Sequence, residues 1–350
     1  MIRTRSPFTR RAVVSVALAA SSAFALTGCL AGENAASTEE AGSGESATEL
    51  NIDFATYNPL SLVIKDQGWL EAELEDEGVT VNWIQSAGSN KANEALRAGA
   101  VDVGSTAGSA ALLARSNGSP IKTIDIYSQP EWSAMVTVEG TGIESLEDLR
   151  GKSIAATKGT DPYFFLIQSL ESAGIDPSEV TVQNLQHADG WAALNNGSVD
   201  AWAGLDPIMA SAEQEGAELF FRNIDFNTYG FLNANEEFLT ESPELAQTVV
   251  NAYEKARQWA KENPEETAEI LAEVAGIDVE LAKAVIIERT NLDVDPAPGE
   301  AQRAVLEKVG PNFVETGDVS SQEQIDEALE TLFDDSYVSN ADPEAIQASS

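Results

Sequence analysis

The amino-acid sequence predicts an α/β fold made of two similar lobes. Residues 50–54 alternate apolar and polar side chains as a strand does, and Asn58-Pro59 then opens an apolar helix. The same order returns at 152–156, which reads as a short strand, and at Asp161-Pro162, which opens a second apolar helix. This repeated strand, turn and helix indicates two related α/β units in one chain.

A longer motif, Ala-Leu-x-x-Gly-x-Val-Asp, occurs twice and supports the same prediction. It spans 95–102 in the first unit and 193–200 in the second. In each copy the glycine suits the left-handed conformation that ends a helix, and a short strand follows it. Because both repeated features recur at nearly the same separation, we expect two units of the same design.

The chain after Pro243 is predicted to be helical. Amphipathic spacing extends over 244–261, 279–290, 299–309 and 322–332. We expect these helices to pack on the first lobe, after 225–235 has crossed back from the second.

The first residues predict an exported and lipid-anchored protein. Arginines at positions 3, 5, 10 and 11 precede a short apolar stretch at 12–26, as in a cleaved signal peptide. Leu26-Thr27-Gly28-Cys29 resembles a bacterial lipobox, and Cys29 is the only cysteine in the chain. We therefore expect a signal peptide at 1–28 and lipidation of Cys29 at the extracytoplasmic face of the cell membrane. Arg10-Arg11 leaves both the general and the twin-arginine export routes open.

Residues 29–48 are predicted to form a flexible tether, because they are small or acidic and carry hardly any large apolar side chain. The roughly 300 residues that follow are enough for two lobes of ordinary size. With Cys29 committed to lipidation, the folded part must depend on its hydrophobic core without disulfides.

The charge balance is strongly acidic, with 20 basic and 58 acidic residues and a net charge of −38. Such a surface is a poor partner for nucleic acid or for anionic lipid. The acids are scattered along the chain, which favours a role in solubility over an acidic binding tail.

The motifs of common enzymes are absent from the sequence. It contains one histidine, His187, and no Gly-x-Ser-x-Gly, Gly-x-Gly-x-x-Gly or P-loop motif. Metal-ligand spacing is also absent. We therefore predict no catalytic residue, no metal site and no cofactor.

The candidate binding residues lie instead at turns between strands and helices. These turns are at 56–58, 105–108, 159–161, 188–190 and 205–207. Such turns line the crevice of an open α/β sheet, and helix N-termini there suit an anionic group. Tyr57, Trp132 and Trp202 flank turns or strand ends, and could form apolar walls of a pocket.

The order of several motifs resembles the aliphatic sulfonate-, taurine- and nitrate-binding proteins of bacterial ABC importers. After the lipobox and the acidic tether, these motifs are Asn58-Pro59-Leu60, Glu94-Ala95-Leu96-x-x-Gly99-x-Val101-Asp102-Val103-Gly104, Ser145-Leu146-x-Asp148-Leu149-x-Gly151-Lys152, Lys158-Gly159-Thr160, Gly197-Ser198-Val199-Asp200-Ala201-Trp202 and Asp206-Pro207. The resemblance extends from Leu50 to about Phe333. The run from Gly197 to Trp202, followed by Asp206-Pro207, is its most specific part.

This resemblance implies a type II periplasmic-binding-protein fold, with two lobes, two crossover segments and a ligand cleft between them. The first lobe would hold 49–128 and 235–340, and the second 129–234. The ligand contacts implied by motif are Tyr57, Asn58, Ser105, Thr106, Gly159, Thr160, Trp202 and Asp206. Gln129 and Trp132 are added because they lie at the first crossing.

The resemblance also implies a function, which is capture of a small organic anion by lobe closure and delivery to the transmembrane permease of an ABC importer. We expect the receptor to act as a monomer without enzymatic activity.

Two alternatives remain open. Sulfonate-binding relatives often carry Thr-Gly-Asp where this chain reads Ser105-Thr106-Ala107-Gly108, whereas Asp161, Asp189 and Asp206 lie near the predicted cleft. A cationic or aromatic nitrogen compound, similar to a thiamine precursor, is therefore a second candidate ligand. A third possibility is an enzyme that resembles the pyrimidine-precursor synthases and uses His187.

Overall fold

Two β-sheets, each covered by helices, form the framework of the computed structural model, which describes residues 48–347. The strands are β1 (Glu49–Phe54), β2 (Thr80–Gln85), β3 (Val103–Ala107), β4 (Ile121–Pro130), β5 (Met135–Val138), β6 (Ser153–Ala156), β7 (Thr181–Asn184), β8 (Ala201–Ala203), β9 (Ala217–Phe221), β10 (Gly230–Asn235) and β11 (Thr290–Asn291). The predicted signal peptide, Cys29 and the tether up to residue 47 lie outside the described residues.

Helices connect these strands and make up most of the chain after β10. They are α1 (Pro59–Gln67), α2 (Trp69–Leu74), α3 (Ser89–Arg97), α4 (Gly108–Ser116), α5 (Asp161–Ser172), α6 (His187–Asn195), α7 (Ile208–Gln214), α8 (Glu236–Glu241), α9 (Pro243–Glu262), α10 (Pro264–Ala275), α11 (Val279–Lys283), α12 (Glu300–Glu315), α13 (Gln322–Thr331) and α14 (Ser336–Ser339). Within 48–347, none of the helices has the length and apolar character needed to cross a membrane.

Both sheets are mixed, and their parallel parts are arranged alike. The first sheet has the order β11-β4-β10-β3-β1-β2, in which β1 runs parallel to β2 and β3. The second has the order β7-β6-β8-β5-β9, in which β6 runs parallel to β7 and β8. The predicted α/β fold with two related units is thereby confirmed.

The repeated Val-Asp motif has a clear structural role in both halves. Asp102 accepts a hydrogen bond from the Asn51 backbone N–H at 2.7 Å, and Asp200 accepts one from the Ser153 backbone N–H at 2.8 Å. Each aspartate therefore ties the start of one strand to the start of its parallel neighbour. Gly99 and Gly197 precede these strands with φ of 64° and 75°, as the motif predicted.

The chain passes between the sheets twice. It leaves the first sheet after β4 and returns through 222–229 to β10. Because β10 pairs antiparallel with both β3 and β4, the first sheet resumes at Gly230, earlier than the expected return at Asn235. The lobe boundaries as a whole stay a prediction.

The C-terminal helices pack mainly on the first sheet, although they also reach the other half. Val249 and Tyr253 of α9 join the core that contains Leu50 and Ile52 of β1. In contrast, Phe313 of α12 packs against Phe164 of α5, with ring centroids 4.5 Å apart. The C-terminal region thus contacts both halves of the molecule.

Candidate functional site

A small cavity lies between the two halves, where the turn after β1 faces the turn after β8. It is lined by Thr56, Tyr57, Pro59, Pro130, Trp132, Asp206, Val285, Ile286, Arg289 and Thr290. Its volume of about 10 Å³ corresponds to one water molecule at most. An organic ligand can therefore enter only if the two halves separate.

Two aromatic rings form one wall of the cavity. Tyr57 and Trp132 meet edge to face, with centroids 6.1 Å apart and an interplanar angle of 85°. The Tyr57 hydroxyl donates to the Ser105 carbonyl at 2.9 Å, and Trp132 Nε1 donates to Asp161 Oδ2 at 2.8 Å. Both rings are thus held in fixed orientations by hydrogen bonds to neighbouring segments.

An ion pair faces this wall. Arg289 Nη1 lies 3.1 Å from Asp206 Oδ2, and Arg289 Nη2 lies 2.6 Å from Glu213 Oε2. Asp206 Oδ1 also accepts from the Ala210 backbone N–H at 3.0 Å, at the start of α7. Burial raises the pKa of Asp206 to about 6, and the attraction of Arg289 only partly opposes this rise.

Asp161 connects four segments that meet beside the cavity. Its carboxylate accepts hydrogen bonds from Ser109 Oγ on α4, from Trp132 Nε1 at 2.8 Å, and from the backbone N–H and hydroxyl of Thr228 at 2.7 and 2.8 Å. Trp132 and Thr228 belong to the two crossing segments. Burial raises the pKa of Asp161, while these four donors act in the opposite direction. The residue thus begins α5 and also joins it to three other segments.

A second buried carboxylate, Asp53 of β1, bonds to Ser105, whose carbonyl accepts from the Tyr57 hydroxyl of the cavity wall. Ser105 donates its backbone N–H at 2.9 Å and its hydroxyl at 3.1 Å to Asp53 Oδ1. Burial raises the pKa of Asp53 to about 7, although the bonds from Ser86 and Ser105 lower it. Asp53 therefore holds the middle of β3 in place, a role that the strand pattern alone did not predict.

Asn58, Ser105 and Thr106 are fully buried and engaged with the protein itself. The Asn58 side chain caps α1 by accepting a hydrogen bond from the Ser61 backbone N–H. Its Nδ2 donates to the Tyr253 hydroxyl at 3.0 Å. Thr106 donates to the Ala107 carbonyl and accepts from Asn233 Nδ2 at 2.8 Å. These side chains shape the first-sheet side of the cleft without lining the cavity.

The remaining sequence candidates lie in several different places. Gln129 is half-buried on β4, opposite β11, whereas Gly159 and buried Thr160 precede α5. Trp202 is fully buried in the core of the second half, 6.2 Å from the Trp191 ring. Asp189 is exposed in the first turn of α6. Of the twelve candidates, Tyr57, Trp132 and Asp206 line the cavity.

Arg289 is the cavity residue that sequence reasoning missed. It lies 83 residues after Asp206, in a region predicted only as an amphipathic helix. A single arginine in such a helix carries no local signal of its tertiary partners.

Comparison with known proteins places the chain in a family. The family described as NMT1/THI5 like matches residues 61–267, which is more than half of the chain. The chain belongs to the NMT1/THI5-like family. Among relatives, a Bacillus subtilis (strain 168) protein provisionally named as an aliphatic sulfonates-binding protein is 29% identical over 268 residues, covering 75% of this chain and 79% of the relative.

Solved structures show the same fold for this NMT1/THI5-like protein. The alkanesulfonate-binding protein SsuA from Xanthomonas axonopodis pv. citri, bound to MOPS, superimposes with a TM-score of 0.73 at 21% identity, covering 81% of this chain and 98% of that one. The desulfurization enzyme DSZB superimposes with a TM-score of 0.60 at 13% identity, covering 83% and 98%. The periplasmic-binding-protein fold predicted from the resemblance is confirmed, and the fold alone accommodates both binding proteins and an enzyme.

The hydrogen bond from Trp132 to Asp161 can be tested by Trp132→Phe, which keeps an aromatic ring against Tyr57 but removes the Nε1 donor. Because a buried carboxylate then loses one partner, we expect the free energy of unfolding to fall by about 1–3 kcal/mol, measured by urea denaturation. The matched control is Trp83→Phe, which removes a 2.7 Å bond to the exposed Glu71. Water can replace that bond, so an equal loss in both variants would contradict the role given to Asp161.

The raised pKa of Asp53 predicts a pH dependence of stability. The folded protein retains this proton up to about pH 7, whereas an unperturbed carboxyl releases it near 3.8. Ionisation therefore costs free energy in the folded state, and the contribution of Asp53 to stability falls as pH rises from about 4 to 7. Relative to Asp53→Asn, we expect the wild type to lose on the order of 3–4 kcal/mol over this range. A difference between the two proteins that is constant with pH would contradict this expectation.

Proposed function

We propose that this protein is the extracytoplasmic solute-binding subunit of an ABC importer, and that it captures a small organic anion of the aliphatic sulfonate or taurine-like class. Its family, its fold and the name of its Bacillus subtilis relative support this proposal. The ligand would bind between the two halves, which then close and present it to the permease.

The observation that carries the proposal is the Arg289 guanidinium in the cavity, opposite the Tyr57 and Trp132 rings. A guanidinium presents several N–H donors in one plane, which matches the oxygens of a sulfonate group. The rings would contact the alkyl part of such a ligand. In a chain with 58 acidic and 20 basic residues, a largely buried arginine at this position is a specific feature.

The three acids that suggested a cationic ligand are all accounted for by other contacts. Asp161 is bonded by four neutral donors, and Asp206 faces Arg289. Asp189 is exposed on α6 and lies away from the cavity lining. None of the three acids is therefore an unpaired acid of the cavity.

We further propose that the protein acts as a receptor and not as an enzyme. His187, the one histidine of the chain, is buried and does not line the cavity. Burial lowers the pKa of His187 to about 4, which leaves the imidazole neutral at physiological pH. The receptor would act as a monomer, with a lipid anchor on Cys29 and with the two lobes expected from the sequence, except that β10 (Gly230–Asn235) joins the first sheet.

Asp206→Asn distinguishes the anionic from the cationic ligand. The substitution removes the negative charge that competes for Arg289 while Glu213 stays beside the guanidinium, so we expect an alkanesulfonate to bind equally or up to about tenfold more tightly. Asp189→Asn makes the same change of charge on an exposed position and should leave binding unchanged. Isothermal titration with ethanesulfonate, and with thiamine as the cationic probe, measures both. Thiamine binding that disappears in Asp206→Asn, without any sulfonate binding in the wild type, would overturn the anion proposal.

The lipid anchor predicts a membrane-bound protein whose location depends on Cys29. Because the thiol is the site of acylation, Cys29→Ala should move the protein out of the membrane fraction of the native host, as measured by fractionation and immunoblotting. Ser21→Ala, in the same segment, should remain with the membrane. If both variants distribute like the wild type, the anchor proposal is wrong.

A further inference from the structure

The charged side chains at the cavity carry an excess of negative charge before any ligand binds. Arg289 Nη1 lies 3.1 Å from Asp206 Oδ2, and Arg289 Nη2 lies 2.6 Å from Glu213 Oε2. One guanidinium therefore faces two carboxylates, and the group has one negative charge more than positive when both acids are ionised. A sulfonate that binds to Arg289 adds a further negative charge at the same place.

The lining of the cavity supplies no second positive charge. Apart from Arg289 and Asp206, its residues are apolar, aromatic or hydroxyl-bearing. Tyr57 is the one further residue of the lining with a proton that could titrate, and burial raises its pKa well above the usual value, so the phenol stays neutral. The charge that a bound anion brings is therefore not balanced by the cavity wall.

The charged residues on the adjoining elements are paired with each other or exposed. Glu131, directly after β4, pairs with Arg222 at 2.6 Å, and Lys283 of α11 pairs with Glu265 at 2.6 Å. Glu288, just before the cavity arginine, is exposed, and the first turn of α1 carries no charge. Within residues 48–347, these neighbours thus leave the excess at the cavity uncompensated.

Asp206 is the acid best placed to lose its charge. Its side chain is 3% exposed, whereas that of Glu213 is 33% exposed and can be screened by water. Its carboxylate bonds to Arg289 and to the Ala210 backbone N–H. Burial raises the pKa of Asp206 to about 6, and an anion that shares Arg289 would raise it further.

Protonation changes what Asp206 offers to an anion. Oδ1 accepts from the Ala210 N–H at 3.0 Å, so Oδ2, which faces Arg289, is the oxygen free to carry the proton. A carboxyl O–H at this position can donate to a sulfonate oxygen held by the same guanidinium. The neutral carboxyl also competes less strongly for Arg289.

Building on the function proposed above, we propose that an alkanesulfonate binds together with one proton from the solvent, which Asp206 takes up. Capture is then coupled to the pH of the surroundings. This property depends on the second acid beside Arg289 and not on the fold itself.

The sign of the pH dependence follows from the ligand-free protein. Below about pH 6 Asp206 already holds the proton, so binding needs none from the solvent. Above that pH the proton must be taken up on binding, and the affinity falls as pH rises. We expect the Kd of ethanesulfonate to increase by about five- to fiftyfold between roughly pH 6 and 8, as measured by isothermal titration in buffers without sulfonate groups.

The number of protons can be counted directly on the wild type, which does not depend on the folding of any variant. Ethanesulfonate is added to the weakly buffered protein in a pH-stat, and we expect uptake of about half to one proton per bound ligand near pH 7. Asp206→Asn carries a neutral side chain at every pH. It should abolish both the uptake and the pH dependence, with an affinity within about threefold of that of the wild type near pH 6. Asp189→Asn, on an exposed position, is the control and should retain both.

The other outcomes separate this coupling from the function on which it rests. Binding without proton uptake, or a Kd that follows the sodium concentration and not the pH, refutes the coupling and leaves the sulfonate proposal standing. Uptake that persists in Asp206→Asn and disappears in Asp53→Asn assigns the proton to the other buried acid and also refutes it. If ethanesulfonate does not bind at any pH, the sulfonate proposal fails together with the coupling.

Discussion

The carboxylate of Asp161 is the contact on which the relation between the two halves depends. A buried carboxylate is tolerated only when its oxygens are hydrogen-bonded, and here the donors come from α4, from the first crossing at Trp132 and from the second crossing at Thr228. The residue itself begins α5 of the second half. All four bonds can form together only when these segments have come into place. The cavity between Tyr57, Trp132, Asp206 and Arg289 is therefore a property of the closed arrangement that Asp161 stabilises.

The fold could be predicted from the sequence because its signals are local and repeated. An aspartate that begins a strand and bonds the backbone of the neighbouring strand has the same effect at Asp102 and Asp200, so the motif appears twice in recognisable form. A glycine that ends a helix with positive φ is equally local, as Gly99 and Gly197 show. Each of these features involves only a few adjacent residues, so the sequence pattern is enough to predict it.

The candidate site was predicted less completely, because its geometry depends on distant contacts. Arg289 reaches Asp206 across 83 residues, and nothing in its own neighbourhood marks it. Trp202 was expected in the pocket wall together with Tyr57, yet its ring packs against Trp191 in the core. Asp189 lies two residues after His187 on the same helix, yet His187 is buried and Asp189 is exposed. Which face a side chain occupies is set by packing that the pattern of turns does not encode.

The arrangement of the two crossings restricts how the halves can move. One crossing leaves from the end of β4 and the other enters at the start of β10, and these strands are hydrogen-bonded neighbours in the first sheet. Two crossings attached to adjacent strands permit bending about one axis but resist twisting. Trp132 and Thr228, which bind Asp161, lie on these crossings. The bond from Ser109 of α4 to Asp161 of α5 joins the two halves beside these crossings, so separation of α4 from α5 would have to break it.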